Sequence, residues 1–139
     1  MFLDIQLITP TAKLPTRAHA DDAGLDLYAD ETVVIYANQQ QLIKTGLRLA
    51  IPYGFVGLVW DKSGLAQKGL HCLAGVIDAG YRGDLLITVF NLSSINYEVQ
   101  LGQKIAQLLI QPIKLPTPRL AQVSINTTRS DQGFGSTGL

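Results

Sequence analysis

Leu85-Leu86-Ile87-Thr88-Val89-Phe90 is apolar at nearly every position, whereas Leu47-Arg48-Leu49-Ala50-Ile51 places its three large apolar side chains at alternate positions. Successive side chains of a strand point to opposite faces, so the second stretch reads as a strand with one wet face and the first as a strand covered on both. Around them, short apolar runs recur between Gly, Pro, Asn and Asp, and none sustains a helical period over the ~11 residues of an average helix. Strands are expected over residues 2–8, 32–36, 41–44, 47–51, 55–60, 70–77, 85–91, 95–100 and 104–111. The rival reading is a helix over residues 100–109; Gly102 and the Leu108-Leu109-Ile110 run before Pro112 favour a strand. The fold class is therefore all-β. In a chain this small, the second cover for residues 85–90 is expected from another copy of the chain.

At 139 residues, the chain holds enough for one hydrophobic core and too little for two. Its 11 Lys and Arg balance 11 Asp and Glu, so it lacks the electrostatic footprint of a phosphate-backbone binder and no nucleic-acid partner is expected. The lone Cys72 excludes an intrachain disulfide and a multi-cysteine zinc site, and fits a reducing cytosol. No apolar run approaches the ~20 residues of a membrane span, and Met1-Phe2-Leu3-Asp4 lacks the start of a signal peptide. A cytoplasmic protein without a membrane partner is the expectation. Pro112, Pro116 and Pro118 mark the end of the compact body, placed at residues 1–121. Residues 122–139 are polar and then Gly-rich, a composition that cannot build a core and is expected to be mobile when alone.

Five segments carry candidate chemistry. Gly133-Phe134-Gly135-Ser136-Thr137-Gly138 matches G-x-G-x-x-G letter for letter, but that fingerprint needs a following helix and an acidic residue about 20 positions on, and neither is present. No Lys follows the last glycine, so it is not a Walker A loop. What remains is a set of backbone amides, two hydroxyls and the upstream Arg129, the parts of a phosphate grip. Gly75-Val76-Ile77-Asp78-Ala79-Gly80-Tyr81-Arg82-Gly83-Asp84 reads as a wide hairpin connection, with Asp78 able to act as a general base and Tyr81 able to floor a small pocket. Ordinary turn chemistry would also account for it. Trp60-Asp61-Lys62-Ser63-Gly64-Leu65 repeats the Lys, Ser and Gly vocabulary of an anion site at a strand end. Asp22-Ala23-Gly24-Leu25-Asp26-Leu27 and Gly102-Gln103-Lys104-Ile105-Ala106-Gln107-Leu108 have the same character, while His19 and His71 lack metal-ligand spacing.

Taken in order, these segments closely resemble the five motifs of the trimeric dUTPase family, from Leu14 to Leu139. That resemblance implies a distorted β jelly roll, a homotrimer with each site at a subunit interface, and a C-terminal arm that closes a site. It casts Asp78 as the residue that activates the attacking water and Tyr81 as the platform under the deoxyribose. Gly75, Ile77 and Leu86 would belong to the hairpin region that reads uracil through backbone groups. Lys62, Ser63, Gly64 and Gln107 fall where the family contacts phosphate oxygens, Arg129, Gly135, Ser136 and Thr137 where it clamps the γ-phosphate, and Phe134 where it stacks on uracil. Asp26 falls near a hydrated Mg²⁺, as a partner through water. The implied reaction is hydrolysis of dUTP to dUMP and pyrophosphate by attack at the α-phosphorus, with the cation on the triphosphate.

The chain departs from the family pattern in three places. Lys62 stands where Arg is usual, the hairpin between Gly69 and Gly75 is short and lacks Asn, and Ser130-Asp131-Gln132 replaces a more Gly-rich stretch. Two rival functions share the scaffold. A dCTP deaminase would need a Glu where this chain has Thr88, and a non-catalytic nucleotide-binding protein would not need Asp78.

Overall fold

The computed structural model describes residues 1–133, and these form ten strands. In chain order these are β1 (Asp4–Leu7), β2 (Leu25–Tyr28), β3 (Val33–Ile35), β4 (Gln40–Ala50), β5 (Phe55–Asp61), the single helical turn α1 (Ser63–Ala66), β6 (Leu70–Leu73), β7 (Val76–Ile77), β8 (Asp84–Asn91), β9 (Tyr97–Val99) and β10 (Lys104–Pro112). One sheet runs β1-β4-β8-β6, a second runs β2-β10-β5-β7, and β3 and β9 form a separate pair. Every pairing is antiparallel. The fold is all-β and jelly-roll-like, and residues 104–112 form a strand, not the rival helix.

Leu47, Leu49 and Ile51 point inward with Arg48 in water, as their alternation requires. Residues 85–91 obey the same period: Leu85, Ile87 and Val89 join the core with Leu27, Ile43, Val99, Ile105 and Leu108. Leu86, Thr88 and Phe90 face outward; Leu86 stays 42% exposed, and the described residues cover Thr88 and Phe90 only in part.

Four local features differ from the expected strands. The two strands expected over residues 41–44 and 47–51 are one, β4, carried through Thr45-Gly46 by a bulge between Lys44 and Arg48. The Thr45 hydroxyl donates to the Leu85 carbonyl at 2.6 Å, and Gly46, at φ +68°, lies where a Cβ would stand 2.6 Å from Ala12 Cβ. Conversely, the expected strand 70–77 splits into β6 and β7. Ala74 (φ 60°) and Gly75 (φ 96°) both turn left-handed, and the corner carries the chain from the first sheet to the second. The polar motif around Asp26 is strand β2, and α1 follows Lys62.

Asn91 is fully buried and ties this scaffold together. Its Nδ2 donates to the carbonyls of Ile35 (3.0 Å) and Ile95 (2.8 Å), while its Oδ1 accepts from Ser93 N and Oγ. Asn91→Ala removes the buried donor to the Ile35 and Ile95 carbonyls and the acceptor for Ser93, which costs about 1–3 kcal/mol before the lost packing is counted. A drop of about 3 kcal/mol in urea unfolding is expected; a change under 0.5 kcal/mol would contradict this role.

Among the described residues, the last backbone bond from the C-terminal side to the body runs from Ile113 N to Gly54 O. Residues 111–133 are exposed throughout. Phe134, Gly135, Ser136 and Thr137 lie outside the described residues. Among the described residues, no helix is long and apolar enough to cross a membrane.

Candidate active site

Asp78 sits at the end of β7, where the edge strand leaves its pairing with β5 and turns. The turn closes through Tyr81 N–H donating to Asp78 O at 3.0 Å, and Arg82 Nη1 braces it by donating to the Ala79 and Tyr81 carbonyls, both at 2.7 Å. Asp78 and Tyr81 line one concavity of about 150 Å³ with Val76, Ile77, Asp84, Leu85 and Leu86. Ile77, Asp78, Tyr81 and Leu86 are thus brought together as the sequence reading grouped them. Because β7 ends its sheet, one edge of the Val76-Ile77 backbone is unpaired within that sheet and free to meet a planar base as a strand would. Gly75 serves the fold directly: a Cβ there would stand 2.8 Å from the Val59 carbonyl oxygen.

A second cluster gathers at the other end of β5. Asp26, on β2, is only 4% exposed and is bracketed by two ammonium groups: Lys62 Nζ bonds Oδ1, and Lys104 Nζ stands 2.7 Å from Oδ2 as a close ion pair, not an aligned hydrogen bond. Burial pushes the Asp26 carboxyl up, but the close contacts and charges of Lys104 and Lys62 outweigh it and hold the group below its ordinary value of 3.8. The same pair raises Lys104 above its usual value.

The Asp26 pairing makes stability pH-dependent in a definite direction. A depressed carboxyl contributes stability that is present above the unfolded value and lost as pH falls through the lower folded one. Thermal unfolding between pH 5 and 2 is therefore expected to fall more steeply below about pH 3.8 in the wild type than in Asp26→Asn. Parallel curves would remove Asp26 from acid sensitivity.

Gln107 joins this cluster through register, pairing with Asp26 on one side and Trp60 on the other. Its Nε2 donates to the Asp61 carbonyl at 2.8 Å, and its amide packs against Gly24, where any Cβ would overlap it. Ser63 and Gly64 begin α1 exposed, and a Cβ on Gly64 would meet open space. Arg129 lies apart in an exposed turn, with Nε donating to the Gln132 carbonyl at 3.0 Å.

Asp61, His71 and Lys104 were not assigned from sequence. The Asp61 carboxylate accepts Cys72 N–H at 2.6 Å and meets His71 Nδ1 at 2.7 Å, pinning β6 against the start of the Lys62-Ser63-Gly64 segment. Burial would raise the Asp61 carboxyl, and the Cys72 and His71 contacts bring it below its ordinary value. Burial and the nearby Asp61 push the Cys72 thiol up to about 12, so it stays protonated at neutral pH and is no nucleophile. Lys104 is marked only by its place in the Gly102–Leu108 motif, and Asp61 only by adjacency to Lys62. Their partners come from distant strands, which spacing does not reveal.

The two clusters are separate within one chain. Ile77 pairs with Gly57, and from Gly57 to Lys62 the strand runs five residues, roughly 17 Å at about 3.4 Å per residue. Asp26 lies across β10 and β5 from β7, three interstrand spacings or about 14 Å. Among the described residues, no group of three or more His, Cys, Asp and Glu stands together to hold a metal ion.

Comparison with known proteins identifies the family. A family model described as dUTPase matches residues 10–138. The deoxyuridine 5'-triphosphate nucleotidohydrolase of Mycobacterium marinum is 44% identical, with 98% of this chain and 94% of that protein covered. Its counterpart from Mycobacterium leprae is 42% identical over the same shares. Among solved structures, a mutant dUTPase of Staphylococcus bacteriophage 80alpha with dUpNHpp bound superposes with a TM-score of 0.92 at 31% identity, covering 99% of both chains. A mutant dUTPase of phage phi11 of S. aureus, described as revealing coordination of a structural Mg(II) ion, gives 0.80 at 34% identity, covering 88% of this chain and 97% of that one.

Proposed function

The chain belongs to the dUTPase family, and on that premise we propose that it hydrolyses dUTP to dUMP and pyrophosphate. The observation that carries this reading is the concavity where Asp78 and Tyr81 stand together beside the free edge of β7. There the Asp78 carboxylate orients and deprotonates a water for in-line attack at the α-phosphorus. The Tyr81 ring supports the deoxyribose and leaves no room for a 2′-hydroxyl. Backbone groups of residues 75–77 and the neighbourhood of Leu86 receive the uracil edge.

The phosphate-binding half comes from a second copy. With about 17 Å of β5 between the Asp78 end and Lys62, one chain does not bring both to the same phosphate group, whereas a homotrimer with sites at its interfaces does. The outward face of β8, where Thr88 and Phe90 are only partly covered, supports such an assembly. Lys62, Ser63, Gly64 and Gln107 then meet phosphate oxygens, and Arg129 with residues 134–137 closes over the γ-phosphate.

Mg²⁺ would come with the triphosphate, since the described residues offer no cage of their own for it. Asp26 has both oxygens facing lysines, so it accepts from the ion's water shell only when Lys62 turns from it to phosphate. The cation supplies charge neutralisation on the leaving pyrophosphate.

Pyrophosphate release from dUTP, dCTP, dTTP and UTP in Mg²⁺ tests the proposal. dUTP is expected to be the preferred substrate by at least tenfold. Ammonia release from dCTP, or dUTP binding without pyrophosphate release, would overturn it.

A further inference from the structure

Gly83 presents a steric fact that the proposed reaction leaves unexplained. A Cβ at this position would stand 2.6 Å from Cζ and 2.9 Å from Cε2 of the Tyr81 ring, and closer still to its hydroxyl oxygen. Carbon atoms do not approach so closely without something moving. Yet Gly83 is not among the glycines with left-handed φ, so its backbone is one any L-residue adopts. Gly75 and Gly102 do need glycine for their φ values of 96° and 77°, and a Cβ on Gly80 would meet open space. At position 83 it is the Tyr81 ring that forbids a side chain.

The ring is also the part of this turn that can yield. Arg82 fixes the Ala79 and Tyr81 carbonyls, and Tyr81 N–H closes the turn onto Asp78. Asp84 is held from β4 by Arg48 Nε at 2.7 Å. Against that frame Tyr81 is 45% exposed, and its ring is tethered at its far end by the hydroxyl donating to the Asp84 carbonyl at 3.0 Å. A methyl at position 83 therefore displaces the ring before it displaces backbone.

We propose that Gly83 is a positioning residue for sugar selectivity: its missing side chain is the recess that lets the Tyr81 ring lie across the turn and form the wall against a 2′-hydroxyl. This rests on the reading of Tyr81 as the sugar platform. Gly83 acts only through the ring, so its effect must disappear when the ring is absent.

The test compares kcat/KM for dUTP and UTP in the full chain and in Gly83→Ala, Tyr81→Ala and the double variant. Gly83→Ala is expected to raise the UTP-to-dUTP ratio about tenfold, within the range for admitting or excluding one small group in a pocket. Tyr81→Ala moves the ratio the same way, and the double variant matches Tyr81→Ala. Any loss of thermal stability in Gly83→Ala is relieved in the double variant. A raised ratio in Tyr81→Ala with an unchanged one in Gly83→Ala overturns the inference, as does a stability loss that persists without the ring. An unchanged ratio in Tyr81→Ala overturns the platform reading and this inference with it, while dUTP hydrolysis itself stands or falls by the substrate panel.

Discussion

Asp78→Asn is expected to lower turnover of dUTP by ~10²–10⁴, the usual contribution of a positioned general base, while leaving dUTP binding and thermal stability close to wild type. The separation of those effects follows from where the residue sits. Asp78 is exposed at the end of β7, and its contribution to the turn is its backbone carbonyl, which accepts Tyr81 N–H at 3.0 Å. An amide of the same shape keeps that carbonyl and the turn in place but removes the proton acceptor. Single-turnover pyrophosphate release should therefore collapse with the binding constant nearly unchanged. Turnover within threefold of wild type would take Asp78 out of the chemistry.

The sequence shows this carboxylate more readily than it shows what surrounds the phosphates. Residues 75–84 are contiguous, so Ile77, Asp78 and Tyr81 reach one concavity through a single turn, and their grouping can be read from order along the chain. The lysine-bracketed Asp26 is different: Lys62 comes to it from just past β5 and Lys104 from β10, and only the register across β2, β10 and β5 joins them. The fold divides in the same way. Alternation at residues 47–51 sets the inward face directly. The corner at Ala74-Gly75 is invisible to hydrophobic pattern, because residues 70–77 are compatible with one strand and only two left-handed φ angles send them to two sheets. The bulge at Thr45-Gly46 works in the opposite sense: a glycine that reads as a strand end is a kink within a continuous strand.

Removal of everything after Val123 is the second large effect: pyrophosphate release should fall by at least ~10²-fold, while thermal stability and assembly stay as they are. Stability is expected to hold because residues 124–133 bond only locally where they are described, through Thr127 N to Ile125 O, Ser130 N to the Thr127 hydroxyl, and Arg129 to Gln132. The ten strands and the Ile113–Gly54 bond all precede the cut. Activity is expected to fall because the cut removes Arg129 and the Gly133–Gly138 motif, a guanidinium, backbone amides and two hydroxyls that charge-assisted bonding makes effective on a triphosphate. Losing even one preorganised donor at developing charge costs ~10²–10³ in rate, and ordering such a segment over the ligand excludes water as well. A synthetic peptide of residues 124–139 added in excess should restore part of the rate, since the lost groups act on the ligand and not on the core. Full activity in the truncated chain would remove the arm from the proposed reaction, and a markedly lower unfolding temperature would make it a structural part of the body.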